Sequence, residues 1–326
     1  MIVQTLDLST ADLFVAIDPQ RGADILSLTD RRTGVDVLFR TPWRERADAI
    51  RDGQQPSTFD TKAGWLEQYR GGWQTLAPNA GDPRQVHGAP LAFHGEASVA
   101  AWSVDDKTEH TARLHVELFS VPVRIDRTIR LTGPTISIID TLTNLSTTAL
   151  EFDYSHHPAF GGAFLDGTCR IETGARRFTS DEQTTSIRNP GSEHQWPYAV
   201  ATSGDRLDLR EIPAPGSPRE LFGWLHDFQA HWASITNLDL DLTARIEWDG
   251  ELLPYAWLWQ ELNASDEFPW YKRARAVAIE PASMQTSGPG RRSVLRLGAN
   301  VRVEIPISVT LESATRHSLK PHDRSE

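Results

Sequence analysis

Three consecutive segments, Ala112 to Phe119, Val121 to Leu131 and Thr135 to Asn144, alternate apolar and polar residues with a period of two. A Gly133-Pro134 turn separates the last two. Only a pleated strand puts residues i and i+2 on one face, so this run predicts an antiparallel meander with one apolar side. The same alternation recurs at Leu240 to Trp248, Ala274 to Ile279 and Val294 to Leu311, while helical spacing is scarce and short. The expected architecture is all-β, a large antiparallel β-sandwich.

At 326 residues the chain is long for one domain, yet large β-sandwiches reach this size as a unit. Glycine and proline are spread along the chain, and the best loop, Glu211 to Glu220, reads as an insertion between strands. The expectation is a single domain over residues 1–314, followed by a polar, aperiodic tail over 315–326. No internal repeat is visible.

The formal net charge of -11, with no dense basic block, argues against nucleic-acid binding. The single cysteine, Cys169, permits no internal disulfide. No stretch approaches the roughly 18 apolar residues of a membrane helix, and the start of the chain lacks a signal-like pattern. The reading is a cytoplasmic protein, monomer or homodimer, that meets a small molecule and neither membrane nor nucleic acid.

The block YSHHPAFG, Tyr154 to Gly161, concentrates candidate chemistry. His157 precedes Pro158, which favours extended backbone and suggests a strand running into a turn; a histidine there suits proton transfer. Glu280, followed by Pro281, is read as standing at a strand end. Two histidine-glycine pairs, His87-Gly88 and His94-Gly95, offer loop histidines, and the residues alone do not choose between them. Eleven tryptophans suit a carbohydrate, whose C–H faces pack on aromatic planes; most are expected in the core. A metal site from His87, His94, His156 and His157 lacks the spacing of an established zinc motif. No cofactor is expected.

Four blocks occur in order: GGWQTLAPNAG (Gly71 to Gly81), FHGEAS (Phe93 to Ser98), YSHHPAFG, and AVAIEPAS (Ala276 to Ser283). Together they resemble the aldose 1-epimerase (galactose mutarotase-like) family. The glycine-rich block is closest to the divergent branch that includes hexose-6-phosphate epimerases. The resemblance implies a mutarotase that interconverts the α and β anomers of a hexose or hexose derivative without metal or cofactor. It implies His157, in His157-Pro158-Ala159-Phe160, as the acid at the ring oxygen, and Glu280, in Ile279-Glu280-Pro281, as the base. His94, in its Phe-His-Gly context, would bind the substrate. Asn79 and Gln260 are expected to read hydroxyls, and Trp73 or Trp259 to supply a stacking face. Neither Arg44 nor Arg70 falls in a convincing phosphate motif. Two rivals remain: a glycoside hydrolase pairing Glu280 with Glu261 or Asp266, and a sugar-sensing protein without catalysis.

Overall fold

The computed structural model describes residues 5–57 and 59–314. The 315–326 tail lies outside the described residues. The architecture is the expected antiparallel β fold: eighteen strands join in one sheet system, and every recorded pairing is antiparallel. The meander forms where alternation predicts it, as Thr111–Glu117, Val123–Thr132 and Thr135–Asn144. Their inward residues, among them Ala112, Leu114, Ile125, Ile129, Ile136 and Ile138, are buried.

A single 19-residue strand, Arg219–Asn237, ties the layers together. Its first part pairs with Tyr255–Leu262, and its last part pairs with Leu242–Trp248. From Tyr255–Leu262 the ladder continues through Arg275–Ala282, Ser155–Gly161 and Trp73–Leu76. On the other side it runs from Leu242–Trp248 to Arg302–Glu312 and into the meander. The sheet nearly closes, since the Ser9 amide donates to the Glu109 carbonyl at 2.8 Å.

Four of these strands, Trp73–Leu76, Ser155–Gly161, Tyr255–Leu262 and Arg275–Ala282, are buried on both faces, a pattern that hides simple alternation. One face joins the main core through Trp73, Phe160, Leu258, Val277 and Ile279. The other builds a second apolar cluster with Leu76, Ala159, Trp257, Ala276, Ala278 and Ala282. The small side chains of this second face leave a depression between larger ones.

Several local readings need correction. Alternation over Val294 to Leu311 breaks into Arg296–Leu297 and Arg302–Glu312, because Asn300 takes a positive φ of 56° in the turn between them. Glu220 belongs to the long strand rather than to a loop. His157 and Glu280 both lie inside strands, not at their ends; proline's fixed φ is compatible with extended backbone, so each chain passes through its proline and continues. Two short helices, α1 (Arg44–Arg51) and α2 (Thr61–Gln68), cover one opening. On α2, Lys62, Trp65 and Leu66, with the following Tyr69, share one face by their i, i+3, i+4, i+7 spacing.

Beneath the glycine-rich block, Asp153 is a fully buried hub. It accepts hydrogen bonds from Arg84 at 2.6 Å, from Arg291 at 2.8 Å and from the Ala80 amide at 3.2 Å. Removing one partner of a buried pair leaves the other charge without compensation. Asp153→Ala is therefore expected to cost about 3–5 kcal/mol in urea unfolding; wild-type stability in that variant would contradict the role given to this hub.

Candidate active site

Strand register assembles the central pair. Ser155 lies opposite Ala282 and Ala159 opposite Ala278, which sets His157 across from Glu280. Glu280 in turn is opposite Trp257, and His157 is opposite Gln74. Residues directly opposite share a face, so all four side chains sit on the side of the small-residue depression. The His157 Nε2 is 3.6 Å from the Glu280 Oε1, and both side chains are nearly inaccessible.

Above the pair lies a cavity of about 230 Å³, lined by residues that include Trp65, Tyr69, His94, His157, Trp259 and Glu280. Cavities that take ligands commonly span roughly 300–1,000 Å³, so the volume suits one small ring better than a chain of them. Three buried polar atoms on residues of this lining have no hydrogen-bond partner: His157 Nδ1, Glu280 Oε2 and the Tyr69 hydroxyl. Such orphans are uncommon in folded chains, and others lie outside the cavity, on Asp24, Arg70, Gln74, Ser186, Gln260 and Arg275.

Burial dominates the electrostatics. It holds the Glu280 carboxyl well above its ordinary range and pushes His157 down to about 4. Both shifts disfavour charge in a low-dielectric site. Burial thus holds both groups toward their neutral forms, a carboxyl on Glu280 and an uncharged imidazole on His157.

His94 enters from a turn that only special residues allow. It has a φ of 61°, and Gly95, at 73°, approaches the backbone so closely that a Cβ would lie 2.5 Å from the Ala77 carbonyl oxygen. A strained backbone of this kind persists when its surroundings over-determine it. The His94 Nδ1 accepts from the Gly81 amide at 3.1 Å, so the neutral ring carries its hydrogen on Nε2. Burial, with His157 nearby, lowers its pKa well below the usual value and keeps it a neutral donor. Its ring lies 4.5 Å from Trp65 and 5.8 Å from His157, centroid to centroid. His87, by contrast, is exposed and accepts from the Glu151 amide at 3.4 Å. Geometry thus selects His94 of the two.

Of the remaining expected residues, Trp259 lines the cavity. Trp73, Asn79 and Gln260 do not, and each has a structural reason. Trp73 precedes Gln74 on its strand, so the pleat turns it into the main core, where its indole donates to His156 Nδ1 at 3.0 Å. Gln260 follows Trp259 and is turned away in the same manner, accepting from Arg219 at 2.8 Å. Asn79 acts one layer back: its amide donates to the Ala92 carbonyl at 2.8 Å, and its oxygen accepts from Arg84 and Arg291. It braces the loop that holds His94.

Sequence reasoning missed Trp65, Tyr69, Trp257 and Trp270, all cavity-lining. The helical spacing of Lys62, Trp65, Leu66 and Tyr69 was a usable signal, as was the shared parity of Trp257 and Trp259. Asp181 and Glu220 also line the cavity, and no local pattern marks them.

Other groups are occupied elsewhere. His156 faces the core, near Asp140 and the Tyr154 hydroxyl, and burial lowers it to about 3. Glu261 accepts from the Ala264 amide at 2.8 Å and the Ser265 amide at 3.1 Å, closing a loop, while Asp266 lies at the surface 3.8 Å from Lys272. Neither lines the cavity. Arg70 is buried against Asp18 at 2.7 Å, and Arg44 is exposed outside the lining. Among the described residues, Asp105, His115 and Asp126 bring ligand-type atoms within 4.8 Å of one another. They lie on the outer meander, and Arg124 already binds Asp126.

No helix among the described residues is long and apolar enough to cross a membrane. The fold is that of galactose mutarotase-like proteins. The Slr1438 protein of Synechocystis sp. PCC 6803 superposes with a TM-score of 0.68 at 18% identity, over 95% of this chain and 96% of that one. A galactose mutarotase-like protein of Lactobacillus casei gives 0.65 at 18% identity, over 95% and 100%. Another from Clostridium acetobutylicum gives 0.66 at 16% identity, over 94% of each. No curated protein matches the chain in sequence. Residues 3–302 match a family described as a domain of unknown function, DUF4432, and the chain belongs to that family.

Proposed function

We propose that this protein is a mutarotase, an aldose 1-epimerase that opens and recloses the ring of a hexose or hexose derivative. The observation that carries the reading is the His157–Glu280 pair, 3.6 Å apart on a cavity floor, with one unpartnered polar atom on each. Ring opening needs one proton taken from the anomeric hydroxyl and one given to the ring oxygen, as the bond from the anomeric carbon to the ring oxygen breaks and a carbonyl forms. Both oxygens are bonded to the same carbon. An acid and a base side by side therefore reach them together, and they need not stand on opposite faces of the sugar.

The pair holds the proton inventory this reaction requires. A polar sugar entering the cavity supplies hydrogen bonds that offset part of the burial penalty, which lets the proton pass from Glu280 to His157. Glu280 then acts as base on the anomeric hydroxyl while His157 donates to the ring oxygen. Rotation about the first carbon–carbon bond and reclosure with the roles reversed give the other anomer. Neutral His94 donates Nε2–H to a substrate oxygen, and Trp259 offers a flat apolar wall. Compartment and oligomeric state follow the sequence expectation: a cytoplasmic monomer or homodimer.

Proton exchange by positioned groups contributes about 10² to 10⁴ in rate. Glu280→Gln is expected to lower anomer exchange, followed by NMR at equilibrium, by at least about 10²-fold; full activity in the folded variant would end the proposal.

The same substitution separates function from stability. The folded chain keeps a proton on Glu280 that the unfolded chain sheds above pH 4.5, so this group's contribution falls as pH rises from 4.5 toward its folded value. His157 has the opposite slope: between about 4 and 6.5 the unfolded chain binds its proton more readily, and stability rises with pH. Glu280→Gln removes the first effect. In denaturant titrations the variant is expected to be at least as stable as wild type at pH 8, with its relative advantage shrinking at pH 5. A variant clearly weaker at pH 8 would contradict the assigned protonation.

A further inference from the structure

The end of the cavity away from the His157–Glu280 pair has a chemistry of its own. Glu220 is opposite Glu261, which is opposite Ala276, so it stands two strands across and four residues along from Glu280. Asp181, whose amide donates to the Phe222 carbonyl at 2.8 Å, lies beside it, and both acids line the cavity. Between them and the pair stand Phe222, Trp257 and Trp259, with the Phe222 and Trp257 rings 5.8 Å apart. Asp82 adds a third acid at the rim. Among the described residues, the only Lys or Arg in the lining is Lys62, which is largely exposed and 3.9 Å from Asp82.

Carboxylates alone would be an ordinary acidic cluster. Here the same cavity is also lined by His157 and Glu280, nearly inaccessible side chains whose Nε2 and Oε1 stand 3.6 Å apart without a hydrogen bond, which mark it as a place for a ligand. Carboxylates set against aromatic faces are the environment an ammonium group favours, through charge-assisted hydrogen bonds and the ring quadrupole. A phosphate, sulfonate or carboxylate on the sugar would stand among like charges.

We infer that the cavity is built for an amino sugar, with Asp181 and Glu220 taking the ammonium group against the Phe222 and Trp259 faces. The inference rests on the mutarotase reading for the sugar itself and adds its substituent. Burial raises the carboxyls of both Asp181 and Glu220, and a bound cation relieves that penalty.

The test is binding, read by tryptophan fluorescence and NMR shifts at pH 6.5, with glucosamine, galactosamine, their N-acetyl forms, the parent hexoses and the hexose 6-phosphates. The free amino sugars are expected to bind at least about tenfold tighter than the N-acetyl forms and hexoses, with the 6-phosphates weakest. In an Asp181→Asn, Glu220→Gln double variant the ratio of amino sugar to hexose affinity is expected to fall toward one. Equal or tighter binding of hexoses or 6-phosphates, or a preference that survives in the double variant, would overturn the inference. Binding and turnover are separate readouts. Selective amino-sugar binding without anomer exchange would sink the mutarotase reading alone, whereas exchange on hexoses without amine preference would sink this one alone.

Discussion

The antiparallel pairing of Ser155–Gly161 with Arg275–Ala282 is the constraint on which the rest of the site depends. A strand alternates its side chains, and these two strands are buried on both faces. A slip of one residue in either strand would turn its cavity-side residue into the main core, replacing His157 by His156 or Glu280 by Ile279. The register is held from both sides. Phe160, Val277 and Ile279 pack in one apolar cluster, while Ala159, Ala276, Ala278 and Ala282 pack in the other. Histidine 156 is pinned within the core layer by Trp73 and Tyr154. Two adjacent histidines thus acquire opposite duties from geometry alone.

Burial on both faces also sets the chemistry. The groups that would be charged in water are forced toward neutrality, and the surrounding structure compensates only some of them. Asp153 and Asp140 lie in equally buried settings but face Arg291 and Arg127, so each has a full complement of partners. Glu280 and His157 have only each other at 3.6 Å, and His157 Nδ1 and Glu280 Oε2 have no hydrogen-bond partner. The contrast separates carboxylates held by arginine partners from Glu280, which has none. His94 belongs to the second class with a different solution. Its tautomer is fixed by a backbone amide, leaving a single donor aimed by a strained turn.

The fold was legible in sequence where alternation has one buried face, as in the meander from Thr111 to Asn144. It was less legible in the central strands, where both faces are apolar and parity alone separates cavity from core. The histidine and glutamate blocks stand out in the sequence because several short motifs, each only moderately specific, occur together in one order. Trp73 and Gln260 were misplaced by one position of the pleat, next to Gln74 and Trp259. Asn79 sits in the right loop but braces it. Asp181 and Glu220 could not be read at all. They reach the cavity through pairing of Cys169–Ser180 with Arg219–Asn237, between residues far apart in the chain, and nothing near either acid announces that meeting.

The most direct test of this account is the proton count on the central pair at pH 7, from the carboxyl carbon of Glu280 and the ring nitrogens of His157 by NMR with selective labelling. The account predicts a total of one proton, on a protonated Glu280 carboxyl beside a neutral His157 imidazole that does not titrate until about pH 4. A carboxylate beside a neutral imidazole would leave the site without its acid. A carboxyl beside an imidazolium would leave it without its base. Either result would contradict the proposed chemistry.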